Sequence, residues 1–305
     1  MSSKFISHIT LAWQSIRVKT LTVAIAVVIL SQSLAWHDLI HFKTPNSEGQ
    51  PFDSLLAFMI LICCVFLQIA VNLANDYFDV LSGVDSPIRQ GPKRAIQTGL
   101  IKPMAIRNGI FATTTIACLS GLYLISMGGW IFLVLGLVSL FGVYAYSGGK
   151  KPLASLGLGE VAVFLYFGLL GVMASYALQI GDFNYQVFLP ATQIGLLIAA
   201  IMLVNNIRDM ETDTAANKIT LAVRIGDKNS KRLYAALILV PFALLPFDTY
   251  HPFLNFLLLP VAIFLAYKIQ SLKRHQGILF NQILGQTSGF VLAWSLLYSC
   301  PLIFQ

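Results

Sequence analysis

Nine runs of apolar residues, separated by short polar stretches, set the pattern of this chain. They fall at roughly 20–36, 54–79, 108–127, 130–147, 156–180, 188–207, 233–247, 252–268 and 279–303, near the length of about 20 residues that crosses a bilayer as a helix. Only Gly128-Gly129 divides the third run from the fourth, which predicts a tight turn between two helices. The pattern predicts an all-α, polytopic membrane protein of about nine transmembrane helices, a single domain over residues 1–305, with helix and loop segments capping one end as its active site.

Composition agrees. The chain is 57% hydrophobic and 11% charged, with mean hydropathy +0.75, far from the roughly 25% charge of a soluble domain. The four cysteines, Cys63, Cys64, Cys118 and Cys300, lie inside apolar runs without the spacing of a metal knuckle or redox pair, so they read as packing residues. Lys4, Arg17 and Lys19 precede the first run as in a signal segment, but no small-residue cleavage site follows it; a retained first helix is expected.

Cations set the orientation, because positive loops stay in the cytoplasm. With nine spans and a cytoplasmic N-terminus, all but Lys43 of the 20 Lys and Arg residues fall on one side. The net charge of +7 follows from this rule, and no nucleic-acid motif accompanies it.

Two interruptions of the apolar pattern stand out. At about 3.6 residues per turn, Asn72, Asn75, Asp76 and Asp79 fall within an arc of about 100° at the end of the second run. A carboxylate in a span costs roughly 2.5–3.5 kcal/mol, so such a stripe points to a ligand or partner. A second stripe, Asn205, Asn206, Asp209 and Asp213, ends the sixth run and repeats the spacing Asn-x-x-x-Asp. Both fall at the same end of their spans, each followed by a basic loop, an internal echo suggestive of duplicated units.

The first loop adds Asp85 with Arg89, Lys93 and Arg94; the second carries Lys218 and Arg224. Such groups either pair with one another or jointly hold a metal and a polyanion, and their repetition favours the second reading. Mg2+ prefers carboxylate oxygen and bridges readily to phosphate, so a diphosphate matches best. A diphosphate neutralised by metal and cations is a better leaving group, and loss of an allylic diphosphate leaves a carbocation that aromatic rings can stabilise. A third segment places Tyr146 four residues before Lys150, with Lys151 next; these either follow the positive-inside rule or reach the diphosphate from a third side. Glu160, at the start of the next span, is an intramembrane acid that marks a site or pairs with one of those lysines.

Together Asn72-Leu-Ala-Asn-Asp-Tyr-Phe-Asp79, Ser82-Gly-Val-Asp85, Gly91-Pro-Lys-Arg94, Tyr146-Ser-Gly-Gly, Gly157-Leu-Gly-Glu160, Asn205-Asn-Ile-Arg-Asp209 and Thr220-Leu-Ala-Val-Arg-Ile-Gly226 resemble the UbiA superfamily of intramembrane aromatic prenyltransferases, and within it the 1,4-dihydroxy-2-naphthoate polyprenyltransferase branch. The resemblance implies that Asn75, Asp79 and Asp85 form a first Mg2+-diphosphate motif and Asn205, Asp209 and Asp213 a second. Asn72, Arg89, Lys93, Arg94, Lys151, Arg208, Lys218 and Arg224 would bind diphosphate, with Asp76, Tyr146, Lys150 and Glu160 as catalytic candidates. Asp76 and Glu160 are the candidates for removing a proton from the acceptor. In one departure, Gly83 stands where many members carry the last acid of the first motif, and Asp85 lies two residues on.

The implied reaction transfers a polyprenyl group from its diphosphate to 1,4-dihydroxy-2-naphthoate, releasing diphosphate and CO2 and giving demethylmenaquinone, at the bacterial inner membrane. Another aromatic acceptor such as 4-hydroxybenzoate is the alternative within the class. Phosphatidyltransferases usually carry an Asp-Gly-x-x-Ala-Arg signature that this chain lacks. A cation-coupled transporter would fit polar helix ends, yet not two acidic clusters on one face with basic loops.

Overall fold

A computed structural model describes residues 17–41, 51–81, 101–149 and 152–304. The helices are α1 Val18–His41, α2 Ser54–Leu81, α3 Pro103–Gly128, α4 Trp130–Ser147, α5 Gly159–Ile180, α6 Phe188–Arg208, α7 Met210–Ala215, α8 Leu221–Leu244, α9 Leu259–Ser271 and α10 Gly277–Phe304. Short 3-10 turns join several of them. Among the described residues nine helices, all but α7, are long and apolar enough to span a membrane, counting the turns that extend α6, α8 and α9, and no strand is present. This is the multi-pass, all-α architecture expected from the apolar runs.

Local chemistry sets the boundaries. Pro103 opens α3 with φ already near the helical value. Gly129, at φ 77°, reverses the chain directly into α4, and its N–H donates to the Ile125 carbonyl at 2.8 Å. The charged start of α8 is helical too, although its composition hides it from an apolar count: Lys231 is buried, donating to Asp227 Oδ2 at 2.8 Å and to the Leu272 carbonyl at 2.6 Å. Gly226, at φ 78°, breaks α8 after its first turn.

Helix α6 lies at the centre, with Ile194, Leu197, Leu203 and Val204 fully enclosed, while in α4 only Gly142 and Ser147 are buried. Lipid tails are as apolar as leucine, so close van der Waals packing and interhelical hydrogen bonds hold the bundle. A Cβ on Gly168 would stand 2.5 Å from the Gly195 Cα, so α5 and α6 touch backbone to backbone. There α5 widens into a π-helical stretch, Phe164–Leu170, a local irregularity frequent at functional sites.

At the end of the bundle where α1 finishes, hydroxyl and amide donors surround two buried acids. Tyr176 and Tyr250 donate to Asp38 Oδ2 at 2.6 and 2.8 Å. Tyr298 and Gln193 donate to Asp248 Oδ2 at 2.8 and 3.1 Å. The network ties α1, α5, α6, α10 and the loop after α8 together, and it satisfies carboxylates that would be costly to bury alone.

Candidate active site

The first polar stripe occupies the last turns of α2. Asn72 and Asp76 are buried, each held by the start of α1. Thr20 Oγ1 accepts from Asn72 Nδ2 at 2.8 Å, and Asn72 Oδ1 accepts from Gln68 Nε2 at 3.0 Å. Arg17 Nη2 lies 2.7 Å from Asp76 Oδ1. Ser147, closing α4, donates to Asn75 Oδ1. Asp79 is helical in α2, while its side chain lies outside the described part of the structure, as do Asp85, Arg89, Lys93, Arg94, Lys150 and Lys151.

The second stripe forms where α6 gives way to α7. Arg208, 5% exposed, grips Asp209 with two hydrogen bonds, Nε to Oδ1 at 2.8 Å and Nη2 to Oδ2 at 2.5 Å. The same guanidinium donates to Asn205 Oδ1 at 2.7 Å and to Asn281 Oδ1 at 2.6 Å. One planar cation thereby orders two stripe residues and a residue of the last helix. Asp213, one turn along, faces Lys218 at 3.5 Å.

Tyr146 reaches this region from α4, its hydroxyl 3.0 Å from Met202 Sδ. A Cβ at Gly159 would lie 3.5 Å from that hydroxyl and 3.9 Å from Asn206 Nδ2, so glycine lets the start of α5 approach α4 and α6. Asn206 donates to Glu160 Oε1 at 2.8 Å, and Glu160 Oε2 is buried without a hydrogen-bond partner among the described residues.

These elements surround a cavity of about 950 Å³. Arg17, Asn72, Asn75, Asp76, Tyr146, Asn205, Arg208, Asp209, Asp213 and Lys218 all line it, which joins both stripes in one site. Glu160 is outside this lining. Arg224 is outside it as well, exposed and donating to the Leu156 carbonyl at 3.0 Å, where it braces the segment after Tyr146. From the polar end the cavity continues along apolar side chains of α2 to α6, including Leu67, Leu140, Tyr166, Phe167 and Ile201, as far as Ile125 and Phe132. Phe132 and Tyr146 sit on the same helix, roughly 21 Å apart at a rise of about 1.5 Å per residue. The site is therefore a cluster of carboxylates, amides and cations at the mouth of a long greasy slot. Its donors are hard oxygens, which suit Mg2+, and no cluster of three or more His, Cys, Asp or Glu residues is close enough among the described residues to bind a metal by itself.

The sequence profile of the UbiA prenyltransferase family matches residues 46–278. The chain belongs to the UbiA prenyltransferase family. It is 38% identical to the 1,4-dihydroxy-2-naphthoate octaprenyltransferase of Escherichia coli (strain K12) over 237 residues, covering 75% of this chain and 73% of that protein. The protein of the same description from Haemophilus influenzae is 35% identical over 238 residues, covering 76% of this chain and 74% of its own. The fold is similar to that of a UbiA homolog from Archaeoglobus fulgidus bound to DMAPP and Mg2+, at a TM-score of 0.64 and 15% identity, over 96% of this chain and 99% of that one. The protein is thus an intramembrane prenyltransferase of the UbiA type.

Two described residues of this UbiA-family site carry no motif signal, Arg17 and Asn281, while Ser147 belongs to the Tyr146-Ser-Gly-Gly segment with nothing in it to mark Asn75 as its partner. Arg17 reads in sequence as one more positive-inside cation. Asn281 stands out only as an amide near the start of an apolar run, three residues beyond the family match.

Proposed function

We propose that this UbiA-family enzyme transfers a polyprenyl group from polyprenyl diphosphate to 1,4-dihydroxy-2-naphthoate, releasing diphosphate and CO2. The observation that carries the proposal is the meeting of both Asn/Asp stripes at one end of a single apolar cavity. The relatives' shared description supports the choice of acceptor. In this reading Asn75, Asp79 and Asp85 on one side, and Asn205, Asp209 and Asp213 on the other, hold Mg2+. When bound, Mg2+ neutralises the diphosphate oxygens and makes diphosphate a better leaving group.

The chain's own residues do the rest. Arg17, Lys218 and the loop cations Arg89, Lys93, Arg94, Lys150 and Lys151 attract and orient the polyanion, while Arg208 keeps Asp209 and Asn205 facing the cavity. The apolar slot receives the isoprenoid chain and excludes water that would quench an allylic cation. Tyr146, Tyr166 and Phe167 place aromatic rings along it, where ring quadrupoles stabilise positive charge. The C–O bond to diphosphate breaks with its electron pair leaving on oxygen, and a ring carbon of the acceptor supplies the pair for the new C–C bond. The carboxylate leaves as CO2 and its electron pair restores aromaticity; a proton released at the alkylated carbon is matched by one taken up where CO2 departs, so no net proton is lost. The immediate product is the diol; its two-electron oxidation to demethylmenaquinone for menaquinone biosynthesis, by an external acceptor such as O2, is a separate step outside this site. The one-sided cations support a site and N-terminus at the cytoplasmic face of the bacterial inner membrane.

The test incubates membranes containing this protein with Mg2+, a polyprenyl diphosphate and either 1,4-dihydroxy-2-naphthoate or 4-hydroxybenzoate, then identifies the lipid product. A prenylated naphthoquinone formed only with the naphthoate is the expected result. Prenylated hydroxybenzoate would transfer the reading to the other acceptor, and no prenylated aromatic at all would defeat it.

A further inference from the structure

Arg208 sits almost completely out of solvent, and its donors are shared among three residues. Two of them, Asn205 and Asp209, belong to the second stripe. The third, Asn281, comes from the first turns of α10, whose next turn also lines the cavity at Leu284. The hydrogen bond from Arg208 Nη1 to Asn281 Oδ1, at 2.6 Å, crosses 73 positions of sequence and is the shortest the guanidinium makes outside its Asp209 contact.

A guanidinium is planar, so fixing Nη1 fixes the plane in which Nε and Nη2 meet the Asp209 carboxylate. That plane in turn decides where the remaining lone pairs of Asp209 and Asn205 point. Without an acceptor at Nη1 the buried cation would turn to recover a partner, and both stripe residues would turn with it. We infer that Asn281 is a positioning residue: through Arg208 it aims the second Asn/Asp stripe at the divalent cation and diphosphate. This rests on the diphosphate reading of the site, and it makes the last span a working part of it.

The test uses the full-length protein in detergent and follows thermal unfolding while Mg2+ is titrated at a fixed concentration of inorganic diphosphate. The wild-type protein is expected to gain stability with a defined Mg2+ midpoint. Asn281→Ala should raise that midpoint about tenfold or more, the range expected for losing a hydrogen bond to a charged group. In turnover assays it should raise KM for the polyprenyl diphosphate more than it lowers kcat. Asn281→Asp restores an acceptor to Nη1 and should return the midpoint to within about threefold of wild type, and it reads out the inference even if Asn281→Ala fails to fold. Gln282→Ala, on the exposed neighbouring position, should match wild type. An unchanged midpoint in Asn281→Ala, or a loss in Asn281→Asp as large as in Asn281→Ala, would overturn the positioning role. A wild-type protein indifferent to Mg2+ with diphosphate would instead overturn the site reading itself.

Discussion

Arg17 and Asp76 form an ion pair across two helices, Nη2 to Oδ1 at 2.7 Å, with the carboxylate buried and the guanidinium about a quarter exposed. The pair fastens the start of α1 to the first stripe, beside the Thr20–Asn72 hydrogen bond. Removing the cation from a fully buried pair costs about 3–5 kcal/mol; the exposure of Arg17 reduces this to roughly 1–2 kcal/mol. Arg17→Ala and Asp76→Ala should each lower the thermal midpoint, and the double variant should be less destabilised than the sum of the two. Strict additivity would show that the pair contributes nothing.

Glu160 is the other candidate base, and its place in the fold favours a structural role. Among the described residues it sits outside the cavity lining, accepting from Asn206 through one oxygen while the other has no partner there. Glu160→Gln preserves the acceptor and is expected to change kcat by less than about threefold, against the roughly 100-fold or greater loss expected on removing a general base. Glu160→Ala strands the buried Asn206 amide and should cost about 1–3 kcal/mol of stability. A 100-fold fall in kcat for the Gln variant, with KM unchanged, would return Glu160 to the chemistry.

The Gly168–Gly195 contact should tolerate no side chain. A Cβ at Gly168 would meet the Gly195 Cα at 2.5 Å and the Ala191 carbonyl at 3.0 Å, and backbone cannot swing aside. Gly168→Ala is expected to cost about 1–3 kcal/mol and to disturb Tyr166 and Phe167 in the cavity wall. Gly289→Ala on α10, with nothing among the described residues within 4 Å of the added carbon, should be neutral or stabilising. Equal thermal midpoints for the two variants would remove the close approach from the packing of α5 on α6.

Burial raises the pKa of Asp248, in the loop after α8, despite donors from Tyr298, the Tyr250 N–H and Gln193. The folded protein then keeps this proton at pH values where the unfolded chain, with a carboxyl near 3.9, has lost it. Stability from this group is complete below the unfolded value and declines as pH rises through the folded one. Thermal midpoints measured from pH 4 to 8 should fall more steeply for wild type than for Asp248→Asn. Parallel curves would show that Asp248 does not titrate in that window.

Much of this was legible because a bilayer enforces a simple rule: each span must be about 20 apolar residues. The runs at 54–79 and 130–147 differ from α2 and α4 by at most two residues at either end. The first run stops short of His37 and Asp38, which look like loop, yet α1 continues to His41 because Tyr176 and Tyr250 satisfy Asp38 inside the bundle. The run at 233–247 misses the start of α8 for the same reason, since Lys231 finds Asp227 and a carbonyl. The two stripes were visible as costly breaks in an apolar pattern. Their pairing with Arg17, Ser147 and Asn281 was not, because contacts over 59, 72 and 73 positions leave no local trace. The π-helical stretch of α5 left none either, its residues being as apolar as their neighbours.

The most direct measurement of the proposed chemistry follows carboxyl-labelled 1,4-dihydroxy-2-naphthoate with purified protein, Mg2+ and polyprenyl diphosphate, counting CO2, diphosphate and prenylated lipid together. One mole of each per turnover is expected, with all three abolished by a chelator and nearly abolished by Asp209→Ala. Diphosphate release without matching CO2 and prenylated naphthoquinol, or full turnover by Asp209→Ala, would contradict it.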